Sequence, residues 1–439
     1  MGLDKLYAIV NYEDEYVQPL LLQALKDRFP SEILVLIQSL SDLPGPDCKS
    51  LQWRQYEALD FEFANWQAET TLINSYIYRK ALIRKNYLCN TIEHWLAKHP
   101  TSMLGSHVKQ STNFEVDYAE FLDDALVDAF ELNASLDGNA KLQPANRQWW
   151  ILKPGMSDRG QGIRLFSTLD ELTAIFEKWE EESPESDEDG DADPSDDVDA
   201  AGQIGSTLNG SDEKPSNGII TSQLRHFVAQ PYIQSPLMFD PPFRSANRKF
   251  HVRTYVLAVG SLKVYVYKPM LALFSGQQYH ALGSAEAGDA NGELSGHLTN
   301  TCMQTGEREG SVHTFWSLPD SKSLSSDWKQ SVFKQICEIT GELFEAAARV
   351  SMTNFQSLPN AFEIYGLDFL VDDVGTAFLL EVNAFPDYAQ TGNDLRDTIH
   401  GLFQAVVDTA VVPFFHVAGG KSQSTDGMVQ VLDIDLGRR

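Results

Sequence analysis

The chain has 439 residues, of which 43% are hydrophobic, which is enough for about two or three packed subdomains. No apolar run approaches the roughly 20 residues of a membrane span, and no secretory signal is visible, so we expect neither a membrane-spanning nor a secreted protein. The formal net charge of −28 argues against general binding to nucleic acid or anionic membranes.

The opening of the chain has the pattern of a small α/β subdomain over residues 1–74. Residues 6–11 and 32–38 are short apolar runs typical of buried strands, and residues 17–28 between them have apolar side chains at helical spacing. This order predicts a β-α-β unit.

A central subdomain is predicted over residues 75–233. We expect helices over 88–98, 114–130 and 169–179, and strands over 147–153, 162–166 and 227–233. From about residue 180 to 217 the sequence is rich in Ser, Asp, Glu, Gly and Pro, and 180–199 contains twelve acids and no base. Such a composition cannot bury enough apolar surface to offset ordering entropy, so it predicts a disordered acidic insert.

The third subdomain is predicted over residues 234–420, followed by a tail over 421–439. We expect hairpins over 251–267 and 361–382, a long amphipathic helix over 328–352 and a final core helix over 395–411. Residues 283–296 are expected to form a flexible loop.

A lysine at the end of a predicted strand begins the first candidate site. Lys153 is followed by a glycine-containing loop, 154–162, and then by another strand. A compact positive charge beside backbone that can approach closely is suited to phosphate groups. Taken alone, the pattern favours a plain hairpin, and it lacks the G-K-[ST] ending of a Walker A motif.

Carboxylates interrupt the apolar pattern of two neighbouring predicted strands. Asp368 and Glu381 stand within runs that should be buried, and Asn383 follows close to a strand end. Such oxygen ligands suit Mg²⁺ bridging phosphates, and the alternative is a structural ion pair. A turn at residues 373–374 predicts that Asp368 lies opposite Leu379, one or two places from Glu381.

A third candidate group is basic. Four cations cluster in and before an alternating strand: Arg244, Arg248, Lys249 and Arg253. A guanidinium at the half-buried position 253 needs a carboxylate or phosphate partner. An ion pair with Asp368 or Glu381 and a contact to phosphate are both open, and they do not exclude each other. The sequence His-Leu-Thr-Asn at 297–300 follows the flexible loop and could add polar contacts. The alternative for His297 is a core or capping role.

These motifs occur in an order that resembles the ATP-grasp domain of the tubulin–tyrosine ligase family. The order is the Lys153 loop, then Val-Ala-Gln-Pro-Tyr-Ile, Arg-Lys-Phe-x-x-Arg, His-Leu-Thr-Asn, Gly-Leu-Asp-Phe and Leu-Leu-Glu-Val-Asn-Ala. The resemblance covers roughly residues 76–409 and is greatest to the ligase-like half of fungal P-body-associated proteins. It implies an α/β fold of the ATP-grasp class with ATP and Mg²⁺ as cofactors.

The resemblance also implies roles for individual residues. Lys153 and Arg253 would be catalytic, stabilising the phosphates of ATP and the transferred phosphoryl group. Metal binding would fall to Asp368, Glu381 and Asn383. The remaining nucleotide contacts would come from the following residues: Ser157, Gly160, Gly162, Gln230, Tyr232, Lys249 and Asn300.

The reaction implied is ATP-dependent joining of a carboxylate to an amine through an acyl-phosphate. The acceptor would be a protein, tubulin among the candidates, with an amino acid as co-substrate, in the cytoplasm or P-bodies. Three positions depart from the family pattern, which usually has lysine at Pro231, aspartate at His251 and arginine at Leu273. Two alternatives therefore stay open: an ATP-binding pseudo-enzyme acting as an interaction module in mRNA-decay granules, and a ligase for a small metabolite.

Overall fold

The structure is a computed structural model. It describes residues 5–155, 161–182, 225–284, 294–299, 311–389, 395–416 and 427–436.

The strands in chain order are β1 (Leu6–Asn11), β2 (Leu34–Leu36), β3 (Ser50–Arg54), β4 (Thr71–Ile73), β5 (Thr112–Glu115), β6 (Trp150–Pro154), β7 (Arg164–Phe166), β8 (His226–Pro231), β9 (Phe250–Val259), β10 (Lys263–Tyr267), β11 (Leu271–Phe274), β12 (Val312–Thr314), β13 (Phe362–Val371), β14 (Ala377–Ala384) and β15 (Met428–Asp433). The α-helices are α1 (Val17–Arg28), α2 (Phe61–Trp66), α3 (Lys80–Ile83), α4 (Lys85–Lys98), α5 (Leu104–His107), α6 (Leu122–Ala125), α7 (Phe130–Asn139), α8 (Leu169–Glu181), α9 (Trp328–Val350), α10 (Arg396–Val406) and α11 (Val412–Phe415).

The chain divides into two compact units. The first unit comprises Met1–Lys109, Ser235–Tyr279 and Leu294–Arg439, and the second comprises Gln110–Gln234 and His280–Glu293. The two units differ from the predicted subdomains. Residues 1–74 share a unit with most of 234–420, and the second unit begins at Gln110 rather than at 75.

The first unit opens with the predicted α/β arrangement. Its N-terminal sheet has the order β2-β1-β3-β4, with every pairing parallel. Parallel strands are buried on both faces, which explains why the strands read as apolar runs. Helix α1 buries Val17, Leu21 and Leu25 in the core.

The larger sheet of the first unit is built around β9. One edge of β9 pairs with β13, and the other edge pairs with β11 near its start and with β10 near its end. The alternation of β9 sends Val252 and Val256 into a core with helix α9, and Tyr255 and Leu257 into a core with α1 and α10. The sheet is therefore covered by helices on both faces.

The C-terminal residues correct one prediction. Residues 421–439 were expected to be a tail, but β15 pairs antiparallel with β10 at the edge of the larger sheet. Gly341 of α9 lies against it, so close that a Cβ there would be 2.7 Å from the Val431 carbonyl oxygen. The apolar residues of this short segment alternate as in a strand, but the polar residues on either side of it hid that pattern in the sequence.

The second unit is a four-stranded antiparallel sheet in the order β5-β8-β6-β7, with α8 packed on one face. A continuous helix over 114–130 was predicted here and is wrong. Phe114 and Val116 alternate with polar residues at the period of a strand, and β5 pairs Phe114 with Phe227 of β8. Helix α7 begins only at Phe130. The acidic insert lies outside the described residues apart from its first three positions, at the end of α8.

Among the residues that the structure describes, one helical stretch, Arg396–Phe415, is long and apolar enough to cross a membrane. We expected no such run from the sequence. Half of its most apolar part is buried inside the protein, and Ile399, Leu402 and Val406 lie fully in the core beside α1. Because a core helix passes the same test of length and composition, this stretch is weak evidence for a membrane span.

Candidate functional site

In the first unit, Arg253 and Asp368 form a buried ion pair across adjacent strands. They are direct cross-strand partners on β9 and β13. Arg253 Nε donates to Asp368 Oδ1 at 2.5 Å, and Nη2 donates to Oδ2 at 3.0 Å. The internal ion pair considered for Arg253 is thus present, with the bidentate geometry that a guanidinium forms with a carboxylate.

Glu381 and Asn383 extend this group along β14. They are two residues apart, so their side chains leave the same face of the strand. Asn383 Nδ2 lies 3.3 Å from Asp368 Oδ2 and 3.3 Å from Glu381 Oε1, so one amide bridges the two carboxylates. The three residues predicted to hold a metal are therefore brought together.

The pairing of β13 with β14 differs from the predicted register. Asp368 lies opposite Glu381 rather than opposite Leu379, because the register shifts between Asp368 and Phe369. After this bulge Phe369 is opposite Leu379. A bulge re-aims side chains and is not visible in the spacing of the sequence, so the count from the turn gave a partner two residues away.

His251, which the sequence marked only as a departure from the family pattern and to which no site role was assigned, lies beside the ion pair. Its Nδ1 is 2.5 Å from Thr299 Oγ1, and its Nε2 is 3.6 Å from Asp368 Oδ1. Within the described residues, Nε2 is buried without a hydrogen-bond partner. Thr299 thus makes a polar contact of the kind expected of the His-Leu-Thr-Asn motif, although no role was assigned to it individually. His297 of that motif packs its ring against Tyr279, at 5.4 Å between centroids, as its core alternative suggested.

Gly366 provides space for the guanidinium. A Cβ at this position would lie 2.9 Å from Pro386 Cβ and 3.3 Å from Arg253 Cδ. A β-carbon is rarely found as close to another atom as the first of these distances. The glycine of Gly-Leu-Asp-Phe therefore has a packing role that we did not assign from the sequence.

Burial and charge set the protonation of the group. Burial alone raises the pKa of Asp368, but the Arg253 guanidinium and the other donors outweigh it and hold that pKa below its usual range. Burial lowers the pKa of His251 more than the nearby Asp368 raises it, so the imidazole is neutral at pH 7. The cluster therefore contains an ionised carboxylate paired with Arg253 beside a neutral histidine.

The second unit holds several of the predicted nucleotide contacts. Lys153, on β6, donates from Nζ to Gln230 Oε1 of β8 at 2.9 Å, and both side chains are buried. Tyr232 is also buried; its backbone N–H donates to the Trp149 carbonyl at 2.8 Å, and its carbonyl accepts from the Gln148 side chain at 3.2 Å. Gly162 has a φ of +70°, a left-handed conformation that favours glycine.

The structure shows little or nothing of how the remaining predicted nucleotide contacts are placed. Lys249 is buried just before β9, and its carbonyl accepts from the Ser275 N–H at 2.8 Å. Ser157, Gly160 and Asn300 lie outside the described residues, so their predicted roles stay predictions.

The positions that depart from the family pattern are integrated into the sheets. Leu273 is buried on β11 directly opposite His251. Pro231 ends β8 opposite Trp150. The position at which the family pattern predicts arginine thus carries an apolar side chain that packs in the core of the first unit.

The donor chemistry of the first unit fits Mg²⁺. Two carboxylates and an amide are hard ligands, and Mg²⁺ in nucleotide sites takes only one or two carboxylates, with phosphates and water completing its coordination. Among the described residues, no group of three His, Cys, Asp or Glu side chains is arranged to hold a metal ion. An ion here would therefore depend on ligands from its substrate.

Comparison with known proteins gives one consistent match. The sequence matches the tubulin-tyrosine ligase family over residues 64–418. It is 43% identical over 407 residues to a Schizosaccharomyces pombe protein named "Probable tubulin--tyrosine ligase", covering 92% of this chain and 91% of that protein. It is 39% identical over 428 residues to "Probable tubulin--tyrosine ligase PBY1" of Saccharomyces cerevisiae, covering 95% of this chain but only 54% of the yeast protein.

A solved structure has the same fold. The C-terminal domain of Kluyveromyces lactis Pby1, described as an ATP-grasp enzyme interacting with the mRNA decapping enzyme Dcp2, superposes with a TM-score of 0.68. Its sequence is 34% identical, and the match covers 98% of this chain and 99% of that one. The predicted α/β fold of the ATP-grasp class is confirmed.

Proposed function

This chain belongs to the tubulin–tyrosine ligase family, and from that premise we propose that it is an ATP- and Mg²⁺-dependent carboxylate–amine ligase that modifies a protein carboxylate. The observation that carries the proposal is the buried ion pair of Arg253 and Asp368 joined to the half-buried Glu381 and Asn383 on one face of the larger sheet. If these residues had only a structural role, apolar side chains in their place would stabilise the fold at least as well.

Each residue has a part in the proposed chemistry. Lys153, held by Gln230, binds phosphate oxygens of ATP. Glu381 and Asp368 would hold Mg²⁺ together with the amide oxygen of Asn383. The ion would supply positive charge that offsets the negative charge of the phosphates. Arg253 is bonded to one edge of Asp368 and presents its remaining N–H groups to the transferred phosphoryl group.

The proposed reaction has two steps. The substrate carboxylate attacks the γ-phosphorus, the bond to the ADP oxygen breaks, and an acyl-phosphate forms. The amine then attacks the acyl carbon, and phosphate leaves while the amine nitrogen loses a proton. No nucleophile of the enzyme takes part, so the residues act by position and charge.

A second function is favoured by two observations. A relative that covers this chain almost completely is described as interacting with an mRNA decapping enzyme, and Leu273 stands where the family usually has arginine. An ATP-binding module that docks on decay factors in P-bodies, without transferring an amino acid, is the alternative. The shared family and fold support both functions, and amino-acid transfer distinguishes them.

The test incubates the protein with ATP, Mg²⁺, detyrosinated tubulin and free tyrosine, and measures ADP release and the mass of the α-tubulin tail. The ligase proposal predicts ADP release that depends on an acceptor, with one tyrosine added if tubulin is that acceptor. Lys153→Met and Glu381→Gln should abolish release, whereas the exposed controls Lys98→Met and Glu57→Gln should retain it. ATP binding without ADP release for any carboxylate acceptor, including acidic peptides, would favour the module.

A further inference from the structure

The second unit carries an exposed aromatic and acidic segment that the proposed chemistry does not use. We call residues 117–131 the acidic–aromatic segment. Its large apolar side chains are unusually accessible: Tyr118 is 54% exposed, Phe121 48%, Val127 62% and Phe130 73%. The rings of Tyr118 and Phe121 lie 6.2 Å apart in an edge-to-face arrangement, so they form a pair at the surface.

These side chains are not needed to hold the segment in place. Leu122, Leu126 and Ala129 supply the packing, since they are buried in the core of the second unit beside β5, β8 and α8. The buried residues therefore anchor the segment, and its exposed aromatic and apolar side chains are accessible to a partner. Single exposed apolar residues are common, but several within one short segment are typical of interaction sites.

Charge identifies the kind of partner. The segment has six acids and no base, and five of the acids are exposed: Glu120, Asp123, Asp124, Asp128 and Glu131. The sixth, Asp117, pairs with Arg225 at 2.7 Å. Within the described residues Glu180, at the end of α8, accepts from the Ala119 N–H at 2.5 Å, which places another carboxylate at this segment.

We propose that the acidic–aromatic segment is a docking surface for an arginine-rich segment of a partner protein. A guanidinium stacks on aromatic rings and pairs with carboxylates, and this surface offers both within a few residues. Lysine shares the charge but stacks less well. Exposed rings surrounded by acids provide anchors and electrostatic steering together. The excess of negative charge excludes nucleic acid as the occupant.

This docking surface is independent of the proposed ligase chemistry, because none of its residues belongs to the candidate site. It would recruit an acceptor or a regulatory partner whether or not transfer occurs. Its failure in a binding test would leave the ligase proposal untouched.

The test measures fluorescence anisotropy of a fluorescein-labelled peptide, (Arg-Gly-Leu)4, titrated with the full chain at physiological salt. Phe121→Ser/Phe130→Ser removes two anchors, and Asp123→Asn/Asp124→Asn/Asp128→Asn removes three charges. The matched control is Glu57→Gln/Glu62→Gln/Glu69→Gln, which makes the same change in net charge with exposed acids of the first unit. Hydrogen exchange of the unmodified protein with and without peptide gives a readout that needs no variant.

We expect the peptide to bind, each variant of the segment to weaken binding at least about tenfold, which corresponds to about 1.4 kcal/mol, and the control to match the unmodified protein. The peptide (Lys-Gly-Leu)4 should bind more weakly, and exchange should slow within 117–131. Absence of binding would overturn the proposal. Equal losses in the segment and control charge variants, or unchanged exchange in 117–131, would also overturn it, because attraction would then be to net charge alone.

Discussion

Arg253 and Asp368 face each other on β9 and β13 and share two buried hydrogen bonds, at 2.5 and 3.0 Å. Each satisfies the charge and the hydrogen-bonding groups of the other inside the protein, so both can stay ionised although both are buried. The exchange of either residue therefore has consequences for stability as well as for chemistry.

Replacing Arg253 with Met should destabilise the protein strongly, because the Asp368 carboxylate would remain buried without its main partner. We expect the free energy of unfolding in urea to fall by about 3–5 kcal/mol. Adding Asp368→Asn to this variant should restore part of the loss, since the uncompensated charge is removed. If the two substitutions were simply additive, the ion pair would not be coupled as described.

Gly366→Ala tests the packing over the guanidinium. The new Cβ would lie 2.9 Å from Pro386 Cβ, and overpacking of this kind costs about 1–3 kcal/mol. Gly138→Ala is the matched control, because no atom lies within 4 Å of a Cβ there and the residue is in helix α7. It should be stabilising by about 0.5–1 kcal/mol. Thermal unfolding that ranks the two variants equally would contradict the crowding at Gly366.

His251 makes stability depend on pH. Burial lowers its pKa below the ordinary value of 6.5, so between 6.5 and the lowered value the unfolded chain binds a proton that the folded chain does not. The free energy of unfolding should therefore fall as pH decreases below 6.5, by at most about 1.4 kcal/mol per pH unit. Above 6.5 this contribution is constant.

Urea unfolding at a series of pH values measures this effect. His251→Gln should flatten the slope below pH 6.5, whereas His94→Gln, which replaces an exposed histidine of α4, should leave it unchanged. A slope that persists in His251→Gln would assign the pH dependence to another group.

Truncation after residue 426 should destabilise the first unit. It removes β15, which pairs with β10 and packs Val429, Val431 and Leu432 against the core that contains α9. The measurement is the midpoint of thermal unfolding, and we expect it to fall together with the solubility of the chain, since β10 would become an open edge. A midpoint equal to that of the full chain would mean that these residues are a tail after all.

Much of the site was predictable because charged residues in apolar strands need partners. Asp368 and Glu381 interrupt strands that are otherwise hydrophobic, and Arg253 interrupts a third, so a shared cluster followed from the pattern. Lys153 was identified by its place at a strand end. Its contact with Gln230 is a diagonal one, since the direct partner of Lys153 on β8 is Val228.

The remaining features depend on long-range geometry. The bulge after Asp368 changed the partner of Glu381 without a sign in the spacing. His251 and Thr299 are 48 residues apart in the chain and meet only in the folded unit. The predicted helix over 114–130 failed because sheet pairing at Phe114 overrode an ambiguous apolar pattern.

The central claim is that this chain binds Mg-ATP through Lys153 and the carboxylate cluster, and isothermal titration calorimetry of ATP with Mg²⁺ tests it most directly. We predict that the unmodified chain binds and that Lys153→Met and Glu381→Gln each weaken binding at least about tenfold, or about 1.4 kcal/mol. Lys98→Met and Glu57→Gln, at exposed positions, should bind like the unmodified chain. No binding by the unmodified chain, or equal affinity in all five proteins, would contradict the account.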